Sequence, residues 1–176
     1  MRHIFVLLLS VIALFASAST WAHDLNIYQL PYSFHDEQGN RVQLNHWSGH
    51  RALITMEYAS CQFVCSLAVN KLKLLQHVNE LHGNRYEFIV ISLDPMHDTP
   101  QAWKKYRATR SLHYDNWHYL IPAPRDLPTL AGLFDIKYWS VDDQIMHDFR
   151  ILYVDETGQL RHSVGNINAD LEKFMD

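Results

Sequence analysis

The stretch ALITMEYASCQFVC, residues 52 to 65, joins an apolar run of strand length to two closely spaced cysteines. Residues 52 to 58 are mainly apolar, β-branched and aromatic, which is typical of a strand buried on both faces of a sheet. A second such run, YEFIVISL, covers residues 86 to 93. Between the two runs, apolar residues recur every three or four positions, which predicts a helix that ends at residues 82 to 84 and buries Leu67, Ala68, Leu72, Leu75, Val78 and Leu81. The segment therefore predicts a strand, helix, strand unit.

A second helix is predicted directly after the second apolar run. Thr99 has the side chain of a helix N-cap, and Pro100 suits the first helical position because it lacks a backbone N–H. The helix should continue to about Arg110 and turn Trp103 and Tyr106 toward the sheet.

The remaining pattern continues the alternation of strands and helices. It predicts a strand at 117–121, a helix at 127–134 and a closing hairpin with arms at 149–154 and 159–164. An N-terminal hairpin is predicted over 34–44, with its turn at 38–40. The main order, βαβαβαββα, predicts an α/β fold with a mixed central sheet flanked by helices, plus the N-terminal β-hairpin. With 176 residues, of which 48% are hydrophobic, the chain is suited to one core, and we expect a single domain over 23–176.

Residues 1–22 resemble a signal peptide. Arg2 supplies a basic start, residues 4 to 18 are almost all apolar, and small residues place cleavage after Ala18 or Ala22. The run is short for a bilayer span, although an uncleaved membrane anchor is the alternative. We therefore expect a periplasmic or otherwise extracytoplasmic protein with no stable membrane insertion after cleavage. The formal net charge of -4 has the wrong sign for a nucleic-acid partner.

Cys61 and Cys65 are the only two cysteines, and they lie at the predicted junction of a strand and a helix. Active groups of α/β sheets gather at the carboxyl ends of strands, and a helix N-terminus favours the thiolate form of a cysteine. The pair thus suits metal binding or redox chemistry. A purely structural disulfide is the alternative, but such a short loop would remove only about 2 kcal/mol of unfolded-state entropy.

A metal bound by this pair needs at least one more ligand. Most of the twelve histidines should be surface residues, but His147 precedes the closing hairpin at a strand entrance expected near the cysteines. Two thiolates and one imidazole suit copper, particularly Cu(I), whereas structural zinc usually has four protein ligands. Asp94 follows the second apolar run, where it could orient a ligand or simply form an Asp-Pro turn.

The chain resembles the Sco/SenC family, the copper-binding assembly factors of cytochrome c oxidase, which have a thioredoxin-like fold. Three motifs carry the resemblance in the right order over nearly all of the mature chain: YASCQFVC, VISLDPMHDTP and HDFRILYVDETGQL. The resemblance implies copper binding by Cys61, Cys65 and His147, with Asp94 at an acidic position that supports the site. Gln62 and Ser66 replace prolines that are common in the family.

Three functions remain open from the sequence. The first is a metallochaperone that passes copper to an accepting protein such as a cytochrome c oxidase subunit. The second is a thiol-disulfide oxidoreductase in which Cys61 and Cys65 are catalytic and reduce cysteines of a partner. Reductases of the thioredoxin type usually have a proline where Met146 and His147 stand, so His147 favours the copper function. The third is an interaction domain with a structural disulfide.

Overall fold

The computed structural model describes residues 25–61, 65–83 and 85–175, without the side chains of residues 65 and 66. The expected signal peptide and its two cleavage positions lie outside the described residues. The described residues form the α-helices α1 Cys65–Leu81, α2 Pro100–Thr109 and α3 Leu127–Leu133. In chain order the strands are β1 Phe34–Asp36, β2 Arg41–Val42, β3 Arg51–Glu57, β4 Tyr86–Ser92, β5 Trp117–Pro122, β6 Tyr138–Val141, β7 Gln144–His147, β8 Ile151–Val154 and β9 Leu160–Val164.

Seven of these strands form one mixed sheet in the order β2-β1-β5-β4-β3-β8-β9. Strands β3, β4 and β5 are parallel, since α1 and α2 provide the crossovers between them. Strand β1 pairs antiparallel with β5 and with β2, which confirms the predicted N-terminal hairpin. Strand β8 pairs antiparallel with β3 and with β9, which confirms the closing hairpin.

Helices cover both faces of the sheet, as predicted. Successive side chains of a strand point to opposite faces, so Leu53 packs in the cluster that contains α1 and α2. Its neighbours Ala52 and Ile54 pack in the cluster that contains α3. Because both faces are covered, the central strands read as nearly continuous apolar runs.

The buried face of α1 differs from the predicted one at its ends. Leu67 and Leu81 are 61% and 71% exposed. The helix instead buries Gln76 and Asn79, because Asn79 exchanges two hydrogen bonds with the backbone of Tyr86. The oxygen of the Gln76 amide accepts a hydrogen bond from the indole N–H of Trp117. These polar contacts with residues of β4 and β5 place Gln76 and Asn79 on the buried face of the helix, and Leu67 and Leu81 face solvent.

The start of α2 confirms the prediction in detail. The side chain of Thr99 accepts a hydrogen bond from the backbone N–H of Ala102 at 3.1 Å, and Pro100 is the first helical residue. Trp103 and Tyr106 are buried against the sheet. The helix is therefore fixed at the edge where β4 ends.

Two features differ from the prediction. Strands β6 and β7 form a separate two-stranded sheet that was not predicted, with Tyr138 opposite His147. The helix predicted at the end of the chain is wrong for the described residues, which contain only a 3-10 turn at Glu172–Phe174. The backbone there forms hydrogen bonds between residues three apart, from Phe174 to Leu171 and from Met175 to Glu172, which are those of a 3-10 turn. None of the described helices is long and apolar enough to cross a bilayer.

Candidate metal centre

The candidate site begins where β3 ends. After Glu57 the chain turns, and the backbone N–H of Cys61 donates to the carbonyl of Tyr58 at 3.3 Å. The backbone N–H of Ala59 donates to the Asp98 carboxyl at 3.0 Å, and the same carboxyl accepts a 2.6 Å hydrogen bond from Ser92. These bonds tie the loop that carries Cys61 to the end of β4.

Both cysteines lie at the predicted junction. Cys61 is 5% exposed and disulfide-bonded, and Cys65 is the first residue of α1. The side chain of Cys65 lies outside the described part of the structure. The guanidinium of Arg110 donates a 3.0 Å hydrogen bond to the carbonyl of Cys61 and stacks over the ring of Tyr106. A positive charge thus lies beside the cysteine loop, where it favours an anion such as a thiolate.

His147 is the last residue of β7, rather than the entrance to the closing hairpin. Its Nδ1 lies 3.0 Å from the carbonyl oxygen of Asp148. Because a carbonyl only accepts hydrogen bonds, a neutral ring carries its proton on Nδ1 and presents a lone pair on Nε2. Burial lowers the pKa of His147, although Asp148 has the opposite effect. The lowered pKa favours this neutral form of the ring.

Tyr58 connects the two parts of the site. Its hydroxyl accepts a hydrogen bond from the backbone N–H of Ile145 at 3.3 Å and lies 3.3 Å from the amide oxygen of Gln144. Its ring meets that of His147 edge to face, with centroids 6.1 Å apart. Tyr58 therefore holds β7 against the end of β3, just before Cys61.

Glu57 is a buried carboxyl at the centre of this arrangement. Its side chain is 2% exposed, and its Oε2 lies 3.9 Å from Nε2 of His147. Among the described residues, neither atom has a hydrogen-bond partner. Burial raises the pKa of Glu57 to about 8, against the opposing attraction of Arg110.

Asp94 lies in the turn after β4. Its Oδ1 is 2.8 Å from Nδ1 of His97, and its carbonyl accepts the backbone N–H groups of His97 and Asp98. These contacts are those of a turn-forming residue. A supporting role for Asp94 in metal binding stays a prediction.

Sequence reasoning missed Glu57 and Tyr58. The signal for Glu57 was available, because a charged residue inside a buried apolar strand is rare unless it has a function or a partner. Tyr58 gave no such signal, since a tyrosine in a strand usually packs in the core. Its role depends on β7, which was not predicted.

The donor atoms at this edge fit a soft metal ion. The imidazole of His147 offers a buried lone pair at Nε2 without a hydrogen bond, and Cys61 follows the strand that contacts it. No three acidic, histidine or cysteine side chains already stand in metal-binding geometry among those described, which do not include that of Cys65. A thiolate and imidazole set suits copper or zinc rather than Ca²⁺ or Mg²⁺.

Comparison with known families identifies the chain. A family model described as SCO1/SenC matches residues 22–174. The chain belongs to the SCO1/SenC family. An SCO2-like protein of Rickettsia prowazekii (strain Madrid E) is 32% identical over 149 residues, which cover 79% of this chain and 70% of the relative.

Solved structures of Sco proteins share the fold. Arabidopsis thaliana ScoI with copper bound superposes with a TM-score of 0.71 at 20% identity, covering 82% of this chain and 91% of that chain. BsSco, a member of the Sco family of cytochrome c oxidase assembly proteins in which a disulfide switch was identified, gives a TM-score of 0.72 at 21% identity. That match covers 86% of this chain and 90% of BsSco. The predicted thioredoxin-like fold is confirmed.

Proposed function

We propose that this protein binds one copper ion through Cys61, Cys65 and His147 and passes it to a copper-accepting protein outside the cytoplasm. The acceptor would be a protein such as a subunit of cytochrome c oxidase. The observation that carries the proposal is the buried, unpartnered Nε2 of His147 at the sheet edge where Cys61 lies. Family membership and the copper in the Arabidopsis relative support it.

The proposed ligand set suits a protein that transfers its metal ion to an acceptor. Two thiolates and one imidazole are enough to hold Cu(I), while a low coordination number leaves room for the ligands of an acceptor. Cys61 lies on a loop and His147 at a strand end, so the ligands come from different segments. Expected placement outside the cytoplasm rests on the signal-like residues 1–22.

Anaerobic titration of the reduced protein with Cu(I) tests the proposal. We expect one copper per chain in the wild type and no measurable uptake in Cys61→Ala. His147→Ala should bind at least about tenfold more weakly, which corresponds to about 1.4 kcal/mol. His35→Ala, which removes an exposed histidine on β1, should bind like the wild type. Equal Cu(I) affinity in His147→Ala and the wild type would contradict the three-ligand site.

A second candidate is thiol-disulfide exchange, which the disulfide-bonded state of Cys61 favours. One thiolate would attack a partner's disulfide and the other would resolve the mixed disulfide. Reduction of an oxidised peptide that carries the cysteine pair of an acceptor's copper site separates the candidates. If His147→Ala reduces the peptide and supports oxidase assembly as well as the wild type does, exchange is the function.

A further inference from the structure

Among the acid–base side-chain pairs of the described residues, only that of Glu57 and His147 has both facing atoms buried and without hydrogen bonds. The side chains are 2% and 5% exposed, respectively. An unsatisfied buried polar atom is costly, so such atoms usually have a partner. Two of them facing each other across 3.9 Å indicate a partner that lies between them.

We infer that Glu57 supplies a fourth, oxygen ligand to the metal held by Cys61, Cys65 and His147. Bonds from a metal to nitrogen or oxygen are each about 2.0 to 2.2 Å long. One ion bound to Nε2 of His147 and to Oε2 of Glu57 therefore holds the two atoms between about 3.4 Å apart, at a tetrahedral angle, and about 4.2 Å apart, on opposite sides of the ion. The observed 3.9 Å separation agrees with this arrangement.

Backbone hydrogen bonds fix the position of Glu57 relative to His147. Its backbone carbonyl accepts the N–H of Leu93 at 2.8 Å, so the end of β3 is fixed to the chain leaving β4. Tyr58 fixes β7 from the next position. The distance between the two donor atoms is thus set by backbone pairing on both sides, rather than by mobile surface groups.

A carboxylate ligand would strengthen the binding of Cu(II) more than the binding of Cu(I). Soft thiolates favour Cu(I), whereas oxygen and nitrogen donors in a tetragonal set favour Cu(II). Loss of the Glu57 carboxylate should therefore weaken Cu(II) binding much more than Cu(I) binding. This inference rests on the proposed function, because it assigns a further ligand to the same site.

Electron paramagnetic resonance of the Cu(II)-loaded protein tests the ligand directly. Cu(II) chloride is added anaerobically to wild type, Glu57→Gln, Glu57→Asp and Glu37→Gln at one pH, and Cu(I) affinity is measured by competition with a chromogenic chelator. Glu37 is a matched control, because it is also buried but its oxygens accept hydrogen bonds from Arg107 and from the backbone N–H of Tyr119.

We expect Glu57→Gln to show a changed Cu(II) hyperfine splitting and a Cu(II) dissociation constant raised by at least about 10-fold, because removing groups that only support a metal ligand already costs about 10- to 100-fold. Cu(I) affinity should stay within about threefold, because the soft ligands that favour Cu(I) are retained. Glu57→Asp should keep an oxygen-ligated spectrum with intermediate affinity. This variant retains a carboxylate, so it tests the ligand even if Glu57→Gln folds poorly. Glu37→Gln should match the wild-type spectrum.

Two results would overturn the inference, and they are distinguishable. If the wild type binds Cu(II) and Glu57→Gln gives the wild-type spectrum and affinity, Glu57 is not a ligand while the proposed function stands. If the reduced wild type takes up no copper, the proposed function fails, and the inference fails with it.

Discussion

Two glutamates of this protein are buried to a similar degree but have opposite surroundings. Glu37 is 4% exposed, receives a 2.7 Å bond from the guanidinium of Arg107, and also accepts the backbone N–H of Tyr119. Glu57 is 1% exposed, and its Oε2 faces only the unpartnered Nε2 of His147 among the described residues. The first carboxylate joins three parts of the fold. The second has an oxygen without a hydrogen bond at the edge that carries Cys61, which is where we propose the metal site.

The largest expected effect comes from breaking the pair of Glu37. Arg107→Ala leaves a buried carboxylate without its cation and also removes bonds to the carbonyls of Leu112 and Tyr114. We expect a loss of about 3 to 5 kcal/mol in the free energy of unfolding, measured by urea denaturation. Arg161→Ala, which breaks an exposed pair with Asp155, should cost at most about 1 kcal/mol. Equal losses in the two variants would show that Glu37 is not held as described.

The next effect concerns Asp98, a buried carboxyl that accepts hydrogen bonds from Ser92 and from the backbone N–H of Ala59. Burial raises its pKa from 3.8 to about 6. The folded state therefore binds the proton more tightly than the unfolded state, and Asp98 contributes most to stability below about pH 4. As pH rises from about 4 to 6, the wild type should lose about 2 to 3 kcal/mol relative to Asp98→Asn.

Urea denaturation of the oxidised, metal-free protein at several pH values measures this difference. Comparison with Asp98→Asn cancels the contribution of Glu57, whose raised pKa acts in the same direction. A difference that stays flat with pH, or that grows in favour of the wild type, would contradict the assignment.

The smallest effect sharpens the role of the site's neighbour Tyr58. Tyr58→Phe removes the hydroxyl that accepts the N–H of Ile145, and we expect a loss of about 1 kcal/mol. Hydrogen exchange at the Ile145 amide should accelerate, and copper affinity should fall by a few-fold because His147 is less well held. Unchanged exchange at Ile145 would mean that β7 is positioned by other contacts.

The central sheet could be predicted because its local signals agree with the tertiary structure. Strands β3 and β4 are apolar on both faces, and the cap at Thr99 is read directly from the sequence. The ends of α1 could not be predicted, since the burial of Gln76 and Asn79 depends on strand groups that are distant in the chain. Hydrophobic periodicity treats such residues as solvent-facing.

The two cysteines of the candidate site could be predicted from the sequence, but the strand that carries His147 and its contact with Glu57 could not. The spacing of Cys61 and Cys65 after a strand carried most of the information. Strand β7 was missed because its residues are only half-buried and pair outside the main sheet, which leaves a weak alternation. Without β7, the contact between His147 and Glu57 has no sequence signal.

X-ray absorption at the copper edge tests the central claim most directly, because it counts the atoms bound to the metal. For the reduced protein loaded with Cu(I), we predict two sulfur ligands and one imidazole nitrogen, and loss of the imidazole scattering in His147→Ala. Imidazole scattering that persists in His147→Ala, or a single sulfur ligand in the wild type, would contradict a site built from Cys61, Cys65 and His147.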